Sequence, residues 1–170
     1  MFTVIDPLDG TTNFISNACH TSFPLLRRIK GRTEVAVVYD DPMRNELFTA
    51  TRGQGAQRLR LRGSTARDLT ALSSPPASRS KPKQYATTYI NIIGKRRTEC
   101  ADFRRTGSAA ALIWPMWLQV VSMVSFEISW PSSVDSPRAL LVCEAGGIVS
   151  DYRRSAIHDD RHRGGESARR

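Results

Sequence analysis

The chain has 170 residues, 40% of them hydrophobic, with six Phe and three Trp, enough for one domain with a real core and too apolar for a disordered chain. Its 25 Lys and Arg against 16 Asp and Glu leave a net charge of +9, which by itself points to a polyanion partner. The arginines gather at 57–67, 95–105 and 153–170 without interleaved aromatics, so recognition of nucleic acid by base stacking is not expected.

Thr3, Val4 and Ile5 read as the end of a buried strand. No charged n-region leading into a long apolar run is seen here, so no signal peptide is read. Asp6 stands where the strand stops, and Pro7 removes the next ladder hydrogen bond. Asp9 follows, and Gly10 permits a sharp turn against it. Thr11 and Thr12 can cap whatever comes next. The result is two carboxylates on a short, stiff loop with the Leu8 carbonyl between them. Hard divalent cations such as Mg²⁺ take oxygen ligands of this kind and keep room for water and phosphate. An Asp-Pro or Asp-Gly pair alone is an ordinary turn; the whole string IDPLDGTTNF is far more specific.

Ile15 to Leu26 shows neither helical nor strand period, and His20 within it has no partner at metal spacing. Cys19, Cys100 and Cys143 are far apart and include no CxxC, which argues against a zinc site or disulfide framework and for a reducing cytoplasm. Thr33 to Tyr39 is a β-branched strand. Asp40-Asp41-Pro42 reads as the turn after it, Asn45 to Ala50 as the return strand, and Gly53 and Gly55 as the next turn. Arg58 to Arg67 is basic and exposed in type, and Ala71 to Lys83 reads as a linker rich in Pro and Ser. Gln84 to Cys100 reads as a helix with Tyr85, Tyr89, Ile92 and Ile93 toward one side. At Phe103 to Ala110, small residues after a strand let backbone N–H groups approach an anion at a helix start. The apolar run Ala109 to Val121 contains Pro115 and is too short to span a bilayer, so no membrane association is expected.

IDPLDGTTNF resembles the metal-binding motif of the inositol monophosphatase family. Gly31 to Phe48, CADFRRTGSAA at Cys100 to Ala110 and LLVCEAGGIVSD at Leu140 to Asp151 extend the likeness. The resemblance implies an α/β fold, an incomplete layered α/β sandwich, over 1–152, followed by a basic, irregular tail over 153–170. It implies Mg²⁺-dependent hydrolysis of a phosphate monoester, inositol-1-phosphate above all. It makes Asp6, Asp9 and Thr11 catalytic and gives the metal to Asp6, the Leu8 carbonyl and Asp9. Leu8, Asp9, Gly10, Thr11, Gly107, Ser108, Ala109 and Glu127 fall at substrate positions.

Two metal carboxylates of the family have no direct counterpart. One comes from a helical region that the family places before the motif. The other is the Asp of a Trp-Asp pair, whose register falls on Ser133-Val134. Asp135 is one place off, a rotation of roughly 100° on a helix, and could serve as a ligand only with a rearranged backbone. The bacterial branch of the family also implies a second role, a non-catalytic binding protein associated with RNA polymerase factors in ribosomal RNA synthesis. A homodimer is a further implication.

The stretches between the matching blocks share one reading: they look like the right DNA translated in the wrong frame. Trp114-Pro115-Met116-Trp117 requires TGG CCN ATG TGG. Read from the third base, it gives Ala, then Tyr, His, Asn or Asp, then Val. With permitted codons, Ala111 to Ser125 becomes ADLAYVAAGRFDGF and runs into Phe126-Glu127-Ile128, as the family does. Asn17 to Leu26, Pro75 to Lys81 and Ile157 to Arg163 yield family-like strings by shifted reading too. The expectation is a frame-disrupted chain lacking the front of the fold.

Overall fold

A computed structural model describes residues 1–16, 21–40, 45–57, 73–74, 86–97, 102–103 and 132–150. Its main feature is a five-stranded antiparallel sheet in chain order: β1 (Phe2–Ile5), β2 (Ser22–Ile29), β3 (Arg32–Asp40), β4 (Glu46–Thr51) and β5 (Gly55–Gln57). A short helix, α1 (Thr11–Ile15), lies between β1 and β2. Lys30 (φ 49°) and Gly31 (φ 84°) make the β2–β3 turn, the left-handed pair that a tight hairpin needs.

Along β2 and β3 alternate residues face one side: Ser22, Pro24 and Leu26 on β2, and Ala36, Val38 and Asp40 on β3, are all buried. Phe48, Ala50 and Ala56 continue that face on β4 and β5. Helix α3 (Ser132–Glu144) covers it, and Leu140, Leu141 and Ala145 join the strand residues in one core. The helix packs against β2, β3, β4 and β5. The opposite face carries Ile5, Leu25, Val37 and Thr49 in one cross-strand row, and Phe23, Tyr39 and Leu47 in the next. Two short strands, β6 (Ser73–Ser74) and β7 (Asp102–Phe103), pair in parallel, and α2 (Ala86–Arg97) lies between them in the chain.

Several expectations change. The first strand is not buried: among the described residues β1 pairs with β2 alone, and Phe2, Thr3 and Ile5 are exposed. Asp40 is no turn residue. It closes β3, opposite Ser22 on one side and Glu46 on the other, and is buried. The return strand begins at Glu46 and runs to Thr51. The stretch without a period holds most of β2, because Phe23 and Leu25 make the outer face apolar too. Ser73 and Ser74 form a strand within the supposed linker. The expected helix is present from Ala86 to Arg97, with Ile92 and Ile93 half-buried.

Candidate active site

The loop after β1 is held by its own backbone. Asp6 N–H still donates to the Pro24 carbonyl at 3.0 Å; Pro7 then has no proton to give, and the ladder breaks. It resumes at Asp9, which exchanges both backbone bonds with Ser22, N–H to carbonyl at 2.9 Å and 3.0 Å. The residues between are thus clamped at both ends. Within the loop, the Leu8 N–H donates to Asp6 Oδ1 at 3.2 Å and the Thr11 hydroxyl donates to the Leu8 carbonyl at 3.1 Å. Gly10 takes φ 92° and caps α1 without a side-chain bond, so Thr11 ties the loop rather than capping the helix.

The two carboxylates differ in setting. Asp9 is 2% exposed, and Ser22 Oγ donates to its Oδ2 at 3.4 Å. Asp6 is half-buried. Ser22 also lies opposite Asp40. Asp9, Ser22 and Asp40 therefore sit side by side at one end of the sheet, on three adjacent backbone segments. Burying a carboxylate costs free energy unless donors or a cation meet it; Ser22 Oγ is one such donor to Asp9, and Asp9 and Asp40 each have further partners within the chain. The ligand atoms on offer are all oxygens, the set a hard divalent cation takes. Their number falls short: among the described residues no group of three or more His, Cys, Asp or Glu side chains could hold a metal ion. The loop fits such an ion in kind and incompletely in count.

The profile of the inositol monophosphatase family matches residues 1–167. The chain belongs to that family. The Nus factor SuhB of Salmonella typhimurium (strain 14028s / SGSC 2262) is 62% identical over 151 residues, 88% of this chain and 56% of the relative. The chain thus spans about half the length of the curated relatives it matches. Among solved structures, inositol monophosphatase from Anabaena (Nostoc) sp. PCC 7120 superposes with a TM-score of 0.78 at 26% identity, covering 92% of this chain and 64% of that one. An IMPase/NADP phosphatase complexed with Mg²⁺ and phosphate superposes with a TM-score of 0.74, covering 92% and 57%; at 16% identity that likeness shows the fold alone. The chain is therefore an α/β protein of the inositol monophosphatase fold, in part.

The structure brings Asp6, Leu8, Asp9, Gly10 and Thr11 together on one loop of this inositol monophosphatase fold. Gly107, Ser108, Ala109 and Glu127 lie outside the described residues, as do His20, Cys19 and Cys100. Asp135 falls in the first turn of α3, on the backbone alone, and Val134 precedes it. Two residues at this site, and one at the opposite end of the sheet, were not singled out from sequence. Ser22 is invisible because its partner is 13 residues away. Asp40 was read as part of a turn. Glu144 ends α3, and its carboxylate accepts the N–H groups of Gly53 and Gly55 at 2.9 Å each. A signal for Glu144 did exist: an acidic residue at a helix C-terminus opposes the helix dipole, so it needs donors from elsewhere.

Proposed function

We propose that this chain carries the machinery of a Mg²⁺-dependent phosphate monoester hydrolase, with inositol-1-phosphate as substrate, and that residues 1–170 as written do not turn it over. The observation behind this is the clamped Asp6–Thr11 loop, which sets two carboxylates and a carbonyl at one end of the sheet. Asp6, the Leu8 carbonyl and Asp9 would hold the metal, with Asp135 a ligand only after backbone rearrangement. A bound Mg²⁺ supplies Lewis-acid polarisation of the phosphoryl group and stabilises the leaving oxygen. Thr11 orients the attacking water, and the Gly10 and Thr11 amides receive the phosphate. Gly107, Ser108 and Ala109 add backbone donors, and Glu127 accepts a ring hydroxyl. These assignments follow the family residue by residue.

The same reading explains the loss. Val134 stands where the family's last aspartate would, and the described residues offer two carboxylates at the loop. Alignment of metal, water and phosphate is what the rate depends on, and a small misplacement costs orders of magnitude. The broken blocks, read as frame-disrupted segments, account for the first of these faults. The domain is proposed to end at 152, with a basic tail over 153–170, in the cytoplasm; a homodimer is proposed as well.

Phosphate release from inositol-1-phosphate at saturating Mg²⁺ tests this. Three proteins are compared: residues 1–170, a Val134→Asp variant, and a version with the frame restored through Ala111–Ser125 and around Val134 that also carries the remaining length of the relatives. Only the third is expected to release phosphate. Turnover by the unmodified chain overturns the claim of inactivity, and an inert third protein overturns the phosphatase assignment.

The relatives' name, Nus factor SuhB, favours a second reading. In it the chain binds transcription machinery without catalysis. Binding to RNA polymerase factors that persists in Asp9→Asn, with no turnover by the restored protein, would favour it over the first.

A further inference from the structure

The face of the sheet opposite α3 keeps large apolar side chains in water. Ile5 is 61% exposed, Leu47 51%, Phe23 39% and Ile29 38%. An antiparallel sheet with one wet face alternates apolar and polar residues along its strands; here the second face is apolar as well. Leu25 and Val37 stand opposite each other, with Ile5 beyond Leu25, and Phe23, Tyr39 and Leu47 form the adjacent row. An exposed apolar patch of this kind marks a protein contact. The Phe23 and Tyr39 rings stack with centroids 6.2 Å apart, so each gives a face to the other rather than to a nucleic-acid base.

The charge on this face has one sign. Arg27 lies on it beside Val35, and the bulge between Arg27 and Arg28 brings Arg32 onto it, opposite Ile29. Arg27 and Arg32 are exposed, as is Lys30 in the turn between them. Glu34, the acid nearest them in the chain, is paired with Arg52 at 3.8 Å, and the Arg27 guanidinium meets the neutral sulfur of Met1 at 2.9 Å. The strand residues of this face, from Thr3 on β1 to Gln57 on β5, include no Asp or Glu. The patch therefore runs from an apolar end at Phe23 and Leu47 to a basic end at the β2–β3 turn. From Phe23 to Ile29 the strand rises about 20 Å, the length of about 13 helical residues.

We propose that this face is the docking site for an amphipathic helix of another polypeptide. Apolar side chains at i, i+3, i+4 and i+7 of that helix cover Phe23, Leu25, Val37 and Leu47, and acidic residues at one of its ends meet Arg27 and Arg32. The apolar rows supply the affinity; the exposed arginines set orientation and partner choice. The inference is independent of the metal-loop reading.

The test uses the full chain and a fluorescein-labelled synthetic peptide of about 14 residues, long enough to span the face. It is cross-linked on its polar side to stay helical, with leucines at i, i+3, i+4 and i+7 and glutamates at one end. Anisotropy is expected to show saturable binding that weakens as salt rises. Phe23→Ser with Leu47→Ser is expected to weaken it at least about tenfold, and Arg27→Glu with Arg32→Glu about three- to tenfold, with thermal melting to check that each variant is folded. A peptide with lysines in place of the glutamates is expected to prefer the arginine-reversed variant to the wild type. No binding of the acidic peptide, or binding that neither pair of substitutions changes, overturns the inference. So does self-association in sedimentation that the serine pair abolishes, which gives the face to a second copy of the chain. Saturable binding of oligouridylate that the serine pair abolishes gives it to single-stranded nucleic acid and also overturns the inference. If the serine variant does not fold, the arginine variant decides by the same criterion.

Discussion

At the scale of single residues, the loop depends on conformations and bonds that few substitutions keep. Gly10 sits at φ 92°, where a Cβ meets the neighbouring carbonyl, at a cost of about 1–2 kcal/mol for an L residue. Gly10→Ala is expected to lower stability by about that much, read as a lower melting temperature, whereas Ile148→Ala, at a residue 91% exposed, leaves it unchanged within about 0.5 kcal/mol. The loop was the most legible part of the sequence, because Asp, Pro, Gly and Thr each restrict the backbone locally. What holds it from outside was not legible. Ser22 meets Asp9 only through sheet register, and nothing in the residues around Ser22 announces that partner. Asp40 was mistaken for a turn residue because Asp before Asp-Pro is a strong turn signal, and the strand extends one residue further.

At the scale of elements, the sheet and α3 make the core. Phe48 is fully buried among Ala36, Val38, Leu140 and Leu141. Phe48→Ala is expected to cost about 3–5 kcal/mol, measured by denaturant unfolding. Pro137 lies inside α3, where it has no N–H to give to the preceding turn. A helix-interior proline costs about 3 kcal/mol, and some of that is offset by its burial. Pro137→Ala is therefore expected to raise the melting temperature; a fall would show that the ring's packing outweighs the lost bond. β3 and β4 were legible to within a residue or so because β-branched residues alternate there with small ones. β2 was not, since Pro24 sits inside the strand and both faces are apolar. The edge position of β1 was not legible either, because burial depends on neighbours that the local sequence does not name.

At the scale of the whole molecule, the main body of the described residues is a five-stranded sheet with α3 on one face and apolar residues on the other. Ile5 is 61% exposed, Phe23 39% and Leu47 51%, and these three lie on that second face. A contiguous exposed apolar patch binds hydrophobic dyes, so the chain is expected to enhance anilinonaphthalene sulfonate fluorescence, and a Phe23→Ser, Leu47→Ser double variant is expected to do so less. Equal enhancement by both would place the dye elsewhere. Family membership was legible from four sequence blocks and is shown by the match over residues 1–167. The central claim is that the Asp6–Asp9 loop is a divalent-metal site short of ligands. Calorimetric titration of the chain and of Asp9→Asn with Mg²⁺ tests it most directly. The expected result is weak binding by the wild type, with a Kd on the order of millimolar for a site of few carboxylates, and none by Asp9→Asn. Equal, tight binding by both would contradict it.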